Sequence, residues 1–183
     1  MFYGSGFTKI LKKSVEDVEK NKKAKVFGYY VNNPSRYGVV ENDDKGSVIS
    51  LEEKPKIPKS NYAVVGLYFY PNNVIDIAKN IKPSARGELE ITSVNKSFLK
   101  NKSLLVELFD KNFTWLDSGT HESMLEASNY IHTIEKRTGL KIACIEEIAY
   151  KLGYINKKKL HEIIDYIGDN QYGDYLKKIT DGI

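Results

Sequence analysis

From Phe7 to Asn21 the apolar residues Ile10, Leu11, Val15 and Val18 recur at helical spacing with lysines opposite, which predicts an amphipathic helix. The pattern then changes period. AKVFGYYV, residues 24–31, is a continuous apolar and aromatic run of strand length, and NNPS after it is loop chemistry. RYGVVE and SVISLEE flank the turn NDDKG, residues 42–46, which predicts a hairpin with Gly46 at positive φ. YAVVGLYFY, residues 62–70, is too apolar on both faces for an exposed edge strand. Helices are expected at residues 72–80 and 89–100, and strands at 104–108 and 113–117.

From Thr120 onward the pattern is helical. Thr120 is a candidate N-cap for a helix carrying Met124, Ala127, Ile131 and Ile134 on one face and ending before Gly139. Shorter helices follow at about residues 145–151, 157–167 and 172–179. Mixed strands and helices first, then helices alone, argue for α/β or α+β with a C-terminal helical cap.

Composition narrows the function classes. The chain has 183 residues, 41% hydrophobic, which suits one core with a helical appendix. The net charge of +4 is spread along the chain rather than gathered on one element, which argues against a nucleic-acid surface. No apolar run approaches membrane-span length, and the first residues lack the features of a secretory signal. A single cysteine, Cys144, excludes an internal disulfide framework and suits a cytoplasmic location. His121, His132 and His161 lack metal-site spacing and read as surface helix residues.

Four stretches hold more polar detail than packing requires. Gly38, at the start of a strand, marks either a bulge or close approach of a ligand to the backbone. In Glu53-Lys54-Pro55 a carboxylate suited to paired sugar hydroxyls stands beside a lysine suited to phosphate, or the two form a surface ion pair. Arg86-Gly87-Glu88-Leu89-Glu90-Ile91-Thr92 offers a phosphate-gripping arginine before acids suited to a helix's opening turn, or simply starts that helix. In Trp115-Leu116-Asp117-Ser118-Gly119, an acid at the end of a strand suits magnesium, or caps the turn.

Together with FYG at residues 2–4, VFGYYV, NPSRYGVVE, SLEEKPKIPKSNYAVVGLYFY, KPSARGELEITSVN, FTWLDSGTHESMLEASNYIHTIEKRTGLKIACIEEIAY and YGDYL, these stretches resemble the glucose-1-phosphate thymidylyltransferases, which make dTDP-glucose for deoxysugar pathways. The resemblance implies the C-terminal portion of a nucleotide-diphospho-sugar transferase fold, Rossmann-like with a mixed sheet. Residues 1–138 would bind sugar phosphate, and 139–183 would form a helical segment for regulation or assembly. The family's glycine-rich nucleotide loop has no counterpart, and Met1 falls just past the family's first magnesium aspartate.

By resemblance, Glu53 binds the glucose hydroxyls, Lys54 meets the sugar phosphate and Arg86 helps hold it. The main chain of Gly38 and Val64 contacts the sugar, and Tyr68 lines the pocket. Trp115 supports Asp117, the second Mg2+ ligand. A regulatory nucleotide-sugar site falls near Glu147, Ile148 and Lys151, with Lys151 where arginine is usual. The implied ligands are glucose-1-phosphate, dTTP and dTDP-glucose, and the implied partner is a further copy of the chain or the missing N-terminal half. The chain by itself is expected to be inactive. A related uridylyltransferase, or a non-catalytic sugar-phosphate-binding or assembly module, remains an open alternative.

Overall fold

Alternation along β2 (Ala24–Tyr30) sets the centre of the first of two units, because its two faces bury different partners. In this computed structural model, which describes residues 2–4 and 6–182, the chain divides by packing into Met1–Trp115 and Leu116–Ile183. This division is a different partition from the expected one by role after residue 138, and Met1 itself lies outside the described residues.

The first unit contains β1 (Phe2–Gly4), α1 (Phe7–Asn21), β2, a 3-10 turn (Pro34–Arg36), β3 (Gly38–Asn42), β4 (Val48–Glu53), β5 (Tyr62–Phe69), α2 (Val74–Asn80), α3 (Ile91–Lys100), β6 (Leu104–Leu108) and β7 (Phe113–Trp115). Five strands form a mixed sheet in the order β4-β3-β5-β2-β6, parallel only between β2 and β6, while β1 and β7 pair separately. Ala24 and Val26 pack with Val94 and Phe98 of α3 and with Leu104. On the other face Phe27 joins Val65, Phe109 and Phe113, with Phe7 and Ile10 of α1 against them. Phe27 stacks on Phe109 at 5.2 Å, so an aromatic cluster closes this side of the sheet.

The expected hairpin forms, with Gly46 at φ 80°. Several expected boundaries move by one or two residues, among them the start of α2, expected at 72 and found at Val74. The strand at 113–117 ends at Trp115, and the helix expected at 89–100 begins at Ile91. Glu88 and Glu90 therefore precede that helix instead of opening it. A local turn competes for them: the Gly87 N–H donates to Ser84 O, the Ser84 N–H to Glu88 O, and the Ser84 hydroxyl to Glu90.

The second unit comprises α4 (His121–Thr138), α5 (Ile145–Lys151), α6 (Lys157–Ile167) and α7 (Gln171–Asp181). Thr120 and Ser123 form a reciprocal capping box on α4, and Gly139 ends it at φ 70°. Cys144, Leu160, Ile164, Tyr175 and Leu176 make the core. Asn170 caps α7, and Gly173 allows its close entry, since a Cβ there would stand 2.5 Å from Gly168 O. The expected apolar face of α4 is covered only in part: Ala127, Ile131 and Ile134 are half-buried, whereas Met124 is exposed.

One buried cation ties α1 to the sheet. Lys25 is 3% exposed, and its ammonium donates to Asp17 on α1 and pairs with Glu107 on β6, each at 2.9 Å. Burial by itself would lower the Lys25 pKa; the Glu107 and Asp17 hydrogen bonds outweigh it and raise the value. Both carboxylates reach water, but the ammonium does not. The double change Asp17→Asn/Glu107→Gln, which strands the buried charge, should cost about 3–5 kcal/mol, and Lys25→Met markedly less. The Lys25–Asp17 hydrogen bond also holds the Asp17 carboxyl below its usual range. Its contribution is therefore full above the ordinary aspartate pKa and is lost as pH falls through the depressed value. Urea midpoints of the variants, and of the parent protein across that acid range, check both statements.

Candidate functional site

The site begins where the hairpin strands finish. Gly38 opens β3, Glu53 closes β4, and the antiparallel register sets them opposite each other. The Thr92 hydroxyl, in the first turn of α3, donates to Glu53 Oε2 at 2.5 Å. A Cβ on Gly38 would lie 3.2 Å from that oxygen, 3.2 Å from Thr92 Oγ1 and 3.9 Å from Val64 Cβ. Four residues distant in sequence thus converge on one point. Of the two readings of Gly38, the bulge belongs elsewhere, because the β3–β4 register shifts at Glu41/Asn42. The absent side chain makes room for a carboxylate and a hydroxyl.

Tyr68 stands near this point. Burial first, and the Glu53 charge second, push its phenol pKa up and keep it protonated. Its ring stacks on Tyr70 at 5.9 Å, and the Tyr70 hydroxyl donates to Asn95 Oδ1 at 2.5 Å. Thr92 and Asn95 lie about one turn apart, so one face of α3 reaches both the end of β4 and Tyr70, the residue after β5. The Asn95 amide nitrogen is buried without a partner among the described residues. Sequence reading reached Thr92 only as the end of the Arg86 stretch, with no role for it, and missed Asn95. Their ITSVN context reads as ordinary helix, and their partners are 39 and 25 residues away.

Lys54 follows immediately and is exposed, at φ 43°. A lysine in the left-handed region costs roughly 1–2 kcal/mol. The conformation is held from both sides: the Lys54 N–H donates to Tyr37 O at 2.9 Å, and Pro55 is buried. Glu53 and Lys54 form no ion pair with each other, and the Lys54 ammonium has no carboxylate partner among the described residues. Trp115 meets the Tyr37 ring edge-on at 5.2 Å and the Tyr29 ring at 6.0 Å, which places it behind the segment leading into Gly38.

The other expected residues are placed separately. Arg86 pairs with Glu88 at 2.9 Å and lies 3.7 Å from Glu90, with no recorded contact to Glu53 or Lys54. Asp117 belongs to the second unit and is half-buried; a Cβ on Gly119 would stand 3.1 Å from Asp117 Oδ2. Among the described residues no group of three or more His, Cys, Asp or Glu is placed to hold a metal.

In the helical unit, Glu147 accepts from Lys151 at 2.6 Å and from the Tyr175 hydroxyl at 2.5 Å. Burial would raise the Glu147 pKa, but these two hydrogen bonds together lower it. Burial and the Glu147 hydrogen bond push the Tyr175 phenol up to about 12. Ile148 is exposed. Cys144 is buried as a small hydrophobe, and the structure adds a partner invisible in sequence: its sulfur lies 3.1 Å from the Tyr172 hydroxyl, which also bonds Glu146.

Comparison with known proteins shows the family. Residues 1–134 match the nucleotidyl transferase family. A glucose-1-phosphate thymidylyltransferase of Neisseria meningitidis is 46% identical over 179 residues, covering 98% of this chain and 61% of the relative. One of Mycolicibacterium smegmatis is 48% identical over 181 residues, covering 99% and 62%. The chain thus spans about three fifths of the length of these relatives. A solved Bacillus anthracis structure assigned as a glucose-1-phosphate thymidylyltransferase, complexed with a sucrose, is 41% identical at TM-score 0.58, covering 66% of this chain and 48% of that one. A UDP-glucose pyrophosphorylase complexed with UDP-glucose is 26% identical at TM-score 0.62, covering 72% and 52%. No helix among the described residues is long and apolar enough to cross a membrane.

The left-handed backbone at Lys54 is separable from its charge. Lys54→Gly and Lys54→Ala both remove the ammonium, but only glycine relieves the φ. Lys54→Gly should therefore unfold at the higher urea concentration, by the equivalent of about 1 kcal/mol. Equal midpoints would show that position 54 is not strained.

Proposed function

This chain belongs to the nucleotidyl transferase family, and on that premise we propose that it supplies the sugar-phosphate-binding part of a glucose-1-phosphate thymidylyltransferase. The observation that carries the reading is the convergence of Gly38, Glu53, Val64 and Thr92 beside Tyr68. Thr92 occupies one oxygen of Glu53; Oε1 has no hydrogen-bond partner among the described residues and is left to accept from adjacent glucose hydroxyls. Gly38, lacking a Cβ, leaves the Glu53 carboxylate and the Thr92 hydroxyl room to sit over its backbone, which fixes where that acceptor is presented.

In the proposed reaction a phosphate oxygen of glucose-1-phosphate attacks the α-phosphorus of dTTP. The new P–O bond forms as the bond to pyrophosphate breaks, giving dTDP-glucose and pyrophosphate. No covalent enzyme intermediate is needed; positioning and charge neutralisation carry the step. Glu53 orients the sugar. Lys54, free of an acidic partner, faces the phosphate, and Arg86 adds a second cation if it leaves Glu88.

Magnesium is the metal that the resemblance implies. It commonly takes one or two carboxylates together with phosphate oxygens, and Asp117, half-buried beside Gly119, would be one such carboxylate. When bound, it would offset phosphate charge. The regulatory role at Glu147, Ile148 and Lys151 is part of the same proposal; Ile148 and the Lys151 head group are exposed there, while both Glu147 oxygens are engaged.

The partial coverage of the relatives favours a second reading, a sugar-phosphate-binding module without turnover by itself. Single-turnover assay of the chain with labelled dTTP, glucose-1-phosphate and magnesium separates the two, and no dTDP-glucose is expected without the remaining part. Turnover near that of an intact relative would overturn that expectation.

Binding is tested independently. Calorimetric titration with glucose-1-phosphate should show Glu53→Gln weakened about ten- to a hundredfold, the loss of one charge-assisted hydrogen bond. Thr92→Val should weaken binding by a smaller factor, because it frees the carboxylate without removing it. If both variants bind within twofold of the parent protein, Glu53 merely ends the strand.

A further inference from the structure

The face of α3 that meets the sheet carries one polar group that packing does not require. Asn95 is 0% exposed and sits on α3 beside Val94 and about one turn before Phe98, both in the apolar core. Its Oδ1 accepts from the Tyr70 hydroxyl at 2.5 Å, while its amide nitrogen has no partner among the described residues. Leucine at position 95 with phenylalanine at position 70 would fill similar space and leave no buried donor unpaired. Stability by itself does not call for this pair.

The hydroxyl that Asn95 holds belongs to a ring shared by two stacked pairs. Tyr70 lies 5.5 Å from Phe98 at 22° and 5.9 Å from Tyr68 at 9°. Tyr68 needs such support, because β5 bulges just before it: Val26 to Gly28 on β2 spans Tyr68 to Val64 on β5, two steps against four. A bulge interrupts the ladder, so the ladder by itself does not fix how the next side chain stands. Alternation survives the even count, and Val64 and Tyr68 both pack on the α3 side. Gly66 between them is exposed, and a Cβ there would meet nothing within 4 Å. That gap is flanked by Val64, which borders Gly38, and by Tyr68, whose phenol feels the Glu53 charge.

We infer that Asn95 is a positioning residue of the sugar-binding site, which fixes the Tyr68 ring through Tyr70. The inference rests on the sugar-phosphate-binding reading and deepens it. α3 then reaches the site twice: Thr92 holds the Glu53 carboxylate, and three residues later Asn95 holds the tyrosine stack. Acceptor and ring are set by one helix, so their separation is fixed before a ligand arrives. Without the Asn95 hydrogen bond the Tyr70 ring can slide and turn in its slot, and Tyr68 must be ordered on binding instead. The unpaired amide nitrogen is what the anchored ring costs in stability.

The test compares the full chain with its Asn95→Leu/Tyr70→Phe variant, which removes the hydrogen bond and the unpaired donor together. Thermal unfolding, NMR of ring-labelled tyrosine and calorimetric titration with glucose-1-phosphate are read on both, the Tyr68 signal being identified by its loss in Tyr68→Phe. The double variant should melt no lower than the parent protein, yet its Tyr68 ring should flip faster by about tenfold or more. It should bind glucose-1-phosphate about three- to tenfold more weakly, since one more side chain is then ordered on binding. A residue that only filled the core would not separate affinity from stability in this way. Should the double variant melt lower, Tyr70→Phe, which keeps every ring and removes only the anchored hydroxyl, decides by the same two readings taken well below its melting temperature. An unchanged Tyr68 flip rate overturns the proposal. So does binding within about twofold of the parent when Glu53→Gln weakens it as expected. If the parent does not bind, or Glu53→Gln binds like the parent, the sugar-binding reading fails instead, and the flip rate still decides whether Asn95 positions Tyr68.

Discussion

The hydrogen bond from Thr92 to Glu53 is the constraint on which the site depends. It joins the last residue of β4 to the first turn of α3 across 39 residues of sequence. Strand ends fray, and a carboxylate there would ordinarily sample several rotamers in water. Tying it to a helix that is packed through Val94 and Phe98 into the core makes its direction a property of the fold. The same contact fills the space over Gly38, so any side chain at that position would displace the carboxylate, the hydroxyl or both. Glycine, acid and threonine are therefore one structural decision, although they lie in three segments.

What was legible in the sequence follows from what is local. The β3–β4 hairpin could be read because DDKG supplies turn chemistry between two strand-like runs, and α4 could be read because Thr120 and Gly139 mark its ends. The acid-lysine-proline run was visible as unusual, and resemblance gave it a role. Its geometry was not visible. Lysine is a poor candidate for φ 43°, and only the buried Pro55 and the Tyr37 carbonyl explain why the chain accepts it. The start of α3 was misjudged by two residues because Ser84 draws Glu88 and Glu90 into a turn, which is a tertiary outcome of several weak bonds.

Charge is distributed unevenly in a way that suits the site. Lys25, Arg86 and Lys151 each have carboxylate partners, and these pairs do structural work by joining elements or bracing a turn. Glu53 and Lys54 stand apart from that pattern. Glu53 is steadied by a neutral hydroxyl, which orients a carboxylate without cancelling its charge. A basic partner would have held it as firmly but would have drawn on the same acceptor strength.

The same logic accounts for the backbone at Lys54. Had β4 continued extended for one more residue, the period-two alternation would have sent the Lys54 side chain to the face opposite Glu53. A left-handed residue breaks the alternation at that point, and the fixed φ of Pro55 prevents the strand from resuming. The conformational cost, roughly 1–2 kcal/mol, is of the size that the Lys54 N–H bond to Tyr37 O and the burial of Pro55 can offset. It is also incurred once, on folding, rather than at each binding event. An acid and a base adjacent in sequence thereby stand side by side without forming an ion pair with each other.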